Sequence, residues 1–210
     1  MQVTSNSFKD GERIPGEFAF CRPDEAAHVC LGGNRNPQLA WTGAPAGTKS
    51  FAVICVDPDV PSRGDDVNQE GRTVPASLPR VDFFHWVLID LPASVTSIAA
   101  GEFSNGVTPR GKAEPAAAHG ARQGINDYTG WFASDRDMSG DYYGYDGPCP
   151  PWNDELRHRY VFTVYALDLE RLPLEGKFTG QEALAAMQGH ILAQASLTGV
   201  YSLNPTVGLS

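Results

Sequence analysis

The sequence is short of positive charge and has no long apolar run. Its 16 Lys and Arg residues stand against 25 Asp and Glu residues, a formal net charge of −9. This balance argues against a nucleic-acid or anionic-membrane surface, because both require a field of basic residues. No stretch approaches the roughly 18 consecutive apolar residues of a membrane-spanning helix. The N-terminus also lacks a basic region followed by an apolar one, so we expect a cytoplasmic protein without stable membrane insertion.

Cysteine is scarce and its spacing is wide. Cys21, Cys30, Cys55 and Cys149 do not form the paired short spacings of a zinc site. Reduced thiols are the expectation for a cytoplasmic chain, with a Cys21–Cys30 disulfide as the open alternative. Cys149, set between prolines, is interpreted as a small packing residue of a tight loop.

The length of 210 residues and a hydrophobic content of 41% suit a single domain over residues 1–210. Two segments, near 62–82 and 102–141, are rich in Gly, Pro, Asp and Ala and show no sustained period. They are predicted to be long surface insertions.

Strand patterns dominate the rest of the chain. Residues 50–57 and 83–91 are apolar runs rich in β-branched and aromatic residues, residues 159–167 form a third strand, and residues 38–41 a weaker one. Strict alternation in the second strand places His85 on one face with Val87 and Ile89.

One amphipathic helix is predicted over residues 181–195. Thr179 and Glu182 have the spacing of a capping box, and apolar residues recur at helical intervals after them. Because strands outnumber helices, we predict a mainly antiparallel β fold with peripheral C-terminal helices.

The segment 144–168 is the most informative part of the chain. A Gly- and Pro-rich loop runs into a strand on which His158 and Tyr160, two residues apart, share a face. A loop with so little conformational freedom suits one wall of a preformed binding pocket.

Four polar side chains at strand positions are candidates for that pocket: Asp57, His85, His158 and Tyr160. Each alone has an ordinary structural explanation, such as a turn for Asp57 or a core histidine for His85. Their delivery from three strands favours a common pocket. An Asp57 carboxylate beside a histidine would favour the imidazolium, and a phosphate or carboxylate would fit.

These motifs resemble the phosphatidylethanolamine-binding protein family, and its prokaryotic Raf kinase inhibitor-like branch in particular. The resemblance covers about residues 34–202. It is carried by the following runs: Trp41-Thr-Gly-Ala-Pro-Ala-Gly, Asp57-Pro-Asp-Val-Pro-Ser, Phe84-His-Trp-Val, Gly147-Pro-Cys-Pro-Pro, His158-Arg-Tyr-Val-Phe, Gly189-His-Ile-Leu-Ala and Gly199-Val-Tyr.

The resemblance implies one large and one smaller antiparallel sheet, with C-terminal helices near the mouth of a non-covalent anion pocket. It assigns Asp57, His85, His158 and Tyr160 to the pocket, Gly147 as a backbone contributor, and Pro148 and Pro151 to its loop. It further implies a non-catalytic protein without a cofactor that binds phosphate, phosphoethanolamine or a carboxylate. Kinases or peptidases as protein targets, and a homodimer, are part of the same expectation.

Two alternatives use the same residues. A hydrolase would employ His85 or His158 as general base, Asp57 as its orienting group and Cys149 or Tyr160 as nucleophile or acid. A metal site would join Asp57, His85 and His158 as three ligands of zinc or iron.

Overall fold

The computed structural model describes residues 1–112 and 116–208, and it is mainly β with antiparallel sheets. Its ten strands and two α-helices follow in chain order: β1 Gln2–Thr4, β2 Cys21–Asp24, β3 His28–Leu31, β4 Leu39–Thr42, β5 Ser50–Pro61, β6 Arg80–Pro92, β7 Ser97–Ile98, β8 Arg122–Gln123, α1 Tyr128–Trp131, β9 His158–Leu167, α2 Gly180–Met187 and β10 Ile191–Tyr201. A short 3-10 helix, Ala118–Gly120, lies between β7 and β8. No helix within the described residues is long and apolar enough to span a bilayer.

A five-stranded antiparallel sheet in the order β10-β9-β5-β6-β8 forms the centre of the molecule. A three-stranded sheet, β1-β4-β7, and the hairpin of β2 and β3 flank it. The large sheet is buried on both faces: Trp86 and Phe162 belong to one apolar cluster, and Phe84 and Ile89 to another beneath α2. Burial on both faces explains why β5 and β6 read as continuous apolar runs.

The predicted strands are confirmed, but β5 is longer than predicted. It continues through Pro58 to Pro61, where the sequence had suggested a stop at Asp57. The pairing of β5 with β6 shifts register between Asp57 and Val60. Such an irregularity tolerates prolines, which cannot donate to the ladder, and lets the end of β5 turn its side chains toward the pocket.

The predicted face of His85 is wrong, because β6 contains a bulge. Cys55 pairs with Trp86 and Val56 pairs with Phe84, so His85 is an extra residue without a partner on β5. The irregularity moves His85 out of the predicted set with Val87 and Ile89. His85 instead packs against Tyr160 on the opposite side of the sheet from α2.

The helix predicted over residues 181–195 is confirmed only in its first half. The capping box of Thr179 and Glu182 is present, but α2 ends at Met187, and Gly189 takes a positive φ of 82°. The chain then reverses into β10, the edge strand beside β9. Its apolar residues serve a strand, and α2 contributes nothing to the pocket described below.

The two segments predicted to be surface insertions are not wholly on the surface, because parts of each are buried or paired with the rest of the fold. In the second, Phe103, Ala121 and Tyr128 are buried, and β8 adds an edge strand to the large sheet. In the first, Val74 is buried and pairs with Asp154 in an isolated bridge. Both segments therefore contribute to the walls around the pocket.

Candidate functional site

A cavity of about 540 Å³ opens between the ends of the central strands and the Gly- and Pro-rich loop. Its walls are apolar, with Phe20, Phe83 and Phe132 among them, and Leu31 and Trp131 stand at 58% and 51% exposure. The predicted residues Asp57, His85, His158, Tyr160 and Pro151 all line it. A few convergent polar groups in an apolar cavity of this size are typical of a small-molecule site.

His158 lies at the floor between two carboxylates. Its Nδ1 is 2.7 Å from Asp57 Oδ2, and its Nε2 is 3.2 Å from Asp154 Oδ2. Because an ionised carboxylate only accepts hydrogen bonds, both ring nitrogens act as donors and the ring is an imidazolium. Burial would lower the pKa of His158, but Asp57 and Asp154 outweigh it and raise the pKa to about 9.

Asp57, His158 and Asp154 form a row of alternating charges, and Arg80 adds a fourth charge to it by pairing with Asp154. Its guanidinium donates to both oxygens of Asp154, at 2.5 and 3.0 Å. Burial would raise the pKa of Asp154, but hydrogen bonds from His158 and Arg80 hold it below its ordinary value. Neither Arg80 nor Asp154 was predicted from the sequence. Asp154 had a usable signal, since it lies four residues before His158, whereas Arg80 lies within a presumed surface segment.

His85 has a different environment from His158. Its Nδ1 donates to the backbone oxygen of Asp146 at 2.7 Å, and its Nε2 makes no hydrogen bond within the described residues. Burial lowers the pKa of His85, and Asp57 offsets this only in part. The two histidines are thus set apart by their surroundings, one charged and one neutral.

Tyr160 completes the floor. Its ring lies edge-on to His85, with centroids 5.1 Å apart, and the residue is 1% exposed. Its hydroxyl is buried and has no hydrogen-bond partner of normal geometry in the described part of the chain. Burial, together with Asp57, raises the pKa of Tyr160 well above its ordinary value, so the hydroxyl keeps its proton. The Asp57 carboxylate lies close enough to the hydroxyl of Tyr160 to contribute to this shift.

The Gly- and Pro-rich loop is held in place by the buried carboxylate of Asp146. It accepts from Asn34 at 2.7 Å, Asn126 at 2.8 Å and Lys112 at 3.0 Å. These four polar residues fix the carbonyl that orients His85. Their role was not visible from the sequence, because they come from four distant segments.

Gly147 and Pro148 lie behind the pocket wall rather than in the lining. The Gly147 N–H donates to Asn34 Oδ1 at 2.8 Å, and its carbonyl accepts from the Tyr128 hydroxyl at 2.8 Å. The Pro148 carbonyl accepts from the N–H groups of Phe20 and Cys21. Both residues therefore shape the loop, and the N–H of Gly147, which the resemblance names as a backbone contributor, is used in a hydrogen bond within the protein.

Part of the pocket wall is a disulfide that was not predicted from the sequence. Cys21 pairs with Cys149, with a Cα–Cα distance of 4.8 Å, and Cys30 and Cys55 are free. The expectations of reduced thiols, of a Cys21–Cys30 alternative and of Cys149 as a packing residue are all corrected. Reduced thiols had been expected because a cytoplasmic location was expected, and disulfides persist in oxidising compartments, so this disulfide counts against that location.

The first insertion forms the opposite rim and is tied to the same loop. The Asn153 side-chain amide donates to the carbonyls of Asp66 and Arg72 at 2.8 and 3.0 Å, and its oxygen accepts from Asn68 N at 2.9 Å. This places Arg63 and Val67 at the cavity. Asn153 thus ties the first insertion, which was predicted to be a surface segment, to the Gly- and Pro-rich loop.

The geometry weighs against the metal alternative. Both ring nitrogens of His158 are occupied by carboxylates, and the Nδ1 of His85 is occupied by a carbonyl. Within residues 1–112 and 116–208, no three His, Cys, Asp or Glu side chains are grouped to hold a metal ion. The Cys149 version of the hydrolase is wrong, because that sulfur is in the disulfide.

Fold and site together define an antiparallel β-sheet protein with a preformed, apolar-walled pocket over a charged and hydrogen-bonding floor. The family model described as phosphatidylethanolamine-binding protein matches residues 4–202. The chain belongs to this family, as its motifs had suggested.

The similarity to known relatives covers nearly the whole chain. It is 32% identical to the UPF0098 protein YbcL of Escherichia coli, over 96% of this chain and 87% of YbcL, and 32% identical to YbhB of the same organism, over 96% and 100%. The solved structure of E. coli YbcL, described as a new member of the mammalian PEBP family, superposes with a TM-score of 0.68 at 31% identity, covering 96% of this chain and 97% of that chain.

Proposed function

We propose that this protein binds a small anion that carries an apolar body, with the anionic group at the floor and the body against the aromatic walls. The observation that carries this proposal is a pair of hydrogen-bonding groups at the bottom of an apolar-walled cavity: the Nε2 of His85, which makes no hydrogen bond within the described residues, and the Tyr160 hydroxyl beside it. Inorganic phosphate would leave most of 540 Å³ unfilled. A phosphate monoester or carboxylate with an aromatic or aliphatic group fits both parts.

Calorimetry with inorganic phosphate, phosphoethanolamine and phenyl phosphate tests the proposal. We expect phenyl phosphate to bind most tightly, because its ring buries apolar surface. Tyr160→Phe should weaken binding by roughly ten- to a hundredfold, since a hydrogen bond to a charged group contributes roughly 1.5–3 kcal/mol. Tyr165→Phe is the matched control, because Tyr165 lies on the same strand and packs in the cluster beneath α2. Equal affinities for the wild type and Tyr160→Phe would contradict the assignment.

We propose that the site is non-catalytic. His158 donates from both ring nitrogens and cannot act as a general base, whereas the Nε2 of His85 could. Neither candidate nucleophile is available to it, because Cys149 is in the disulfide and burial raises the pKa of Tyr160. Incubation with panels of esters and phosphoesters provides the test. Turnover that disappears in His85→Asn would establish a hydrolase instead.

A second role, in docking a kinase or peptidase, is favoured by the exposed apolar rim. Leu31 and Trp131 stand beside the cavity mouth at 58% and 51% exposure. Inhibition of such a target should be lost in Leu31→Ser and retained in Leu192→Ser, an exposed apolar site outside the cavity lining. Equal loss in both variants would remove the rim from this role.

A further inference from the structure

The cations at the floor of the pocket are already matched by carboxylates. His158 lies between Asp57 and Asp154, at 2.7 and 3.2 Å, and Arg80 is paired with Asp154. An anion that reaches the floor therefore meets the Asp57 carboxylate as well as the imidazolium of His158. The floor offers hydrogen bonds but no surplus positive charge.

The cations around the floor are also paired. Lys112 lies 3.0 Å from the Asp146 carboxylate, and Arg159 lies 2.8 Å from Asp59. Arg63 is the remaining Arg or Lys in the lining of the described structure, and its side chain is 71% exposed at the rim, 3.7 Å from Asp65. Because the Arg63 charge lies in water at the rim, it is strongly screened. It therefore does not neutralise an anion buried at the floor.

Among the described residues that line the floor, His85 is the group that can supply new positive charge. Its Nδ1 must carry a proton, because its partner is the backbone carbonyl of Asp146, so the neutral ring leaves Nε2 as an unprotonated acceptor. The ring is 3% exposed and lines the cavity. The titratable groups that face it are Asp57 from β5, His158 and Tyr160 from β9, Tyr128 from α1 and Asp146 from the loop.

We propose that an anion binds in this pocket together with one proton, which Nε2 of His85 takes up from solvent, so that the bound anion is paired with a newly formed imidazolium. This inference rests on the proposed function. The proton comes from water or buffer, and no other bond changes. The Tyr160 hydroxyl, which keeps its proton and makes no hydrogen bond of normal geometry within the described residues, provides the second donor.

The direction in which affinity depends on pH follows from the pKa of His85 in the protein before an anion binds. Burial keeps the pKa of His85 below its ordinary value there, and a bound anion raises it. Between the pKa values of the empty and occupied sites, affinity should fall about tenfold for each unit of rising pH. Below that interval the affinity should level off.

Calorimetry with phenyl sulfate, which stays a monoanion, separates this effect from titration of the ligand. Heats measured at about pH 7 in buffers of different ionisation enthalpy give the number of protons taken up, and we expect a value close to one. Measurements should stay at about pH 8 or below, where His158 remains charged. Nitrogen NMR shifts of the His85 ring should report an imidazolium only when phenyl sulfate is present.

Two variants complete the test. His85→Asn keeps a donor near the Asp146 carbonyl but does not titrate, so it should bind weakly, without proton uptake and with a flat pH profile. Arg63→Gln should leave the number of protons unchanged. Binding by the wild type without proton uptake would overturn this inference while leaving the proposed function intact. Failure of the wild type to bind phenyl sulfate, phenyl phosphate or phosphoethanolamine would overturn both.

Discussion

The charge of His158 should make the stability of this protein depend on pH over a defined interval. The pKa of this buried ring is raised from its ordinary 6.5 to about 9 by Asp57 and Asp154, against the opposing effect of burial. A raised pKa stabilises the folded state fully below the unfolded pKa, and this contribution is lost as pH rises through the folded pKa. Stability should therefore decline between about pH 6.5 and 9.

The magnitude follows from the same values. Each pKa unit corresponds to about 1.4 kcal/mol, so the difference between 6.5 and about 9 is worth roughly 3 kcal/mol. Because His158 is 0% exposed, solvent screening does not reduce this much. A loss of this size is a large share of the roughly 5–15 kcal/mol that stabilises a typical domain.

Urea unfolding at closely spaced pH values is the direct measurement. The buried Cys55 and Tyr145, whose pKa values burial raises, weaken the fold only at higher pH, because their unfolded pKa values are near 9 and 10. In His158→Gln the decline across the interval should vanish, although its overall stability is lower. A wild-type profile that is flat from about pH 6.5 to 9, or a decline that persists in the variant, would refute the reasoning.

Two further predictions concern the supports of the pocket. Arg80→Gln should cost roughly 1.5–3 kcal/mol in urea unfolding, because the buried Asp154 loses its hydrogen bonds from the guanidinium but keeps the His158 imidazolium as a charged partner. Arg159→Gln, which removes an Arg–Asp pair whose Arg is 57% exposed, should cost at most about 1 kcal/mol, and similar losses in the two would contradict the role of Arg80. Cys149→Ser should cost roughly 2–5 kcal/mol, because the disulfide closes a loop across 128 residues. Cys30→Ser should have little effect, and a wild-type stability unchanged by a reductant that is shown to cleave the bond would argue against this disulfide.

Much of the pocket could be predicted because its members lie on or beside strongly patterned strands. The apolar runs that became β5, β6 and β9 located Asp57, His85, His158 and Tyr160, and the structure brings all four to one cavity. The side of the sheet that His85 occupies could not be predicted. A single extra residue in β6 reverses the alternation, and nothing local to the sequence marks the bulge.

Helix and strand could not be distinguished over residues 181–195 for a similar reason. The capping box and the apolar spacing favour a helix, yet Gly189 turns the chain and Ile191–Tyr201 pairs with β9. Pairing with a neighbouring strand supplies hydrogen bonds and burial that outweigh local preference. The same limit applies to Tyr128 and Phe103, which sit in a segment of low periodicity and still enter the core.

By itself, the sequence determined the mainly β character, the strand positions and the four polar residues of the floor, because these depend on short-range periodicity and chain punctuation. Only the tertiary structure decided which groups meet: Cys21 with Cys149, Asp154 with both His158 and Arg80, and Asp146 with the amides behind His85. These contacts join residues far apart in the chain or depend on one side chain's direction. The charge on His158, and its absence from His85, follow from burial and from those neighbours, which exist only in the folded protein.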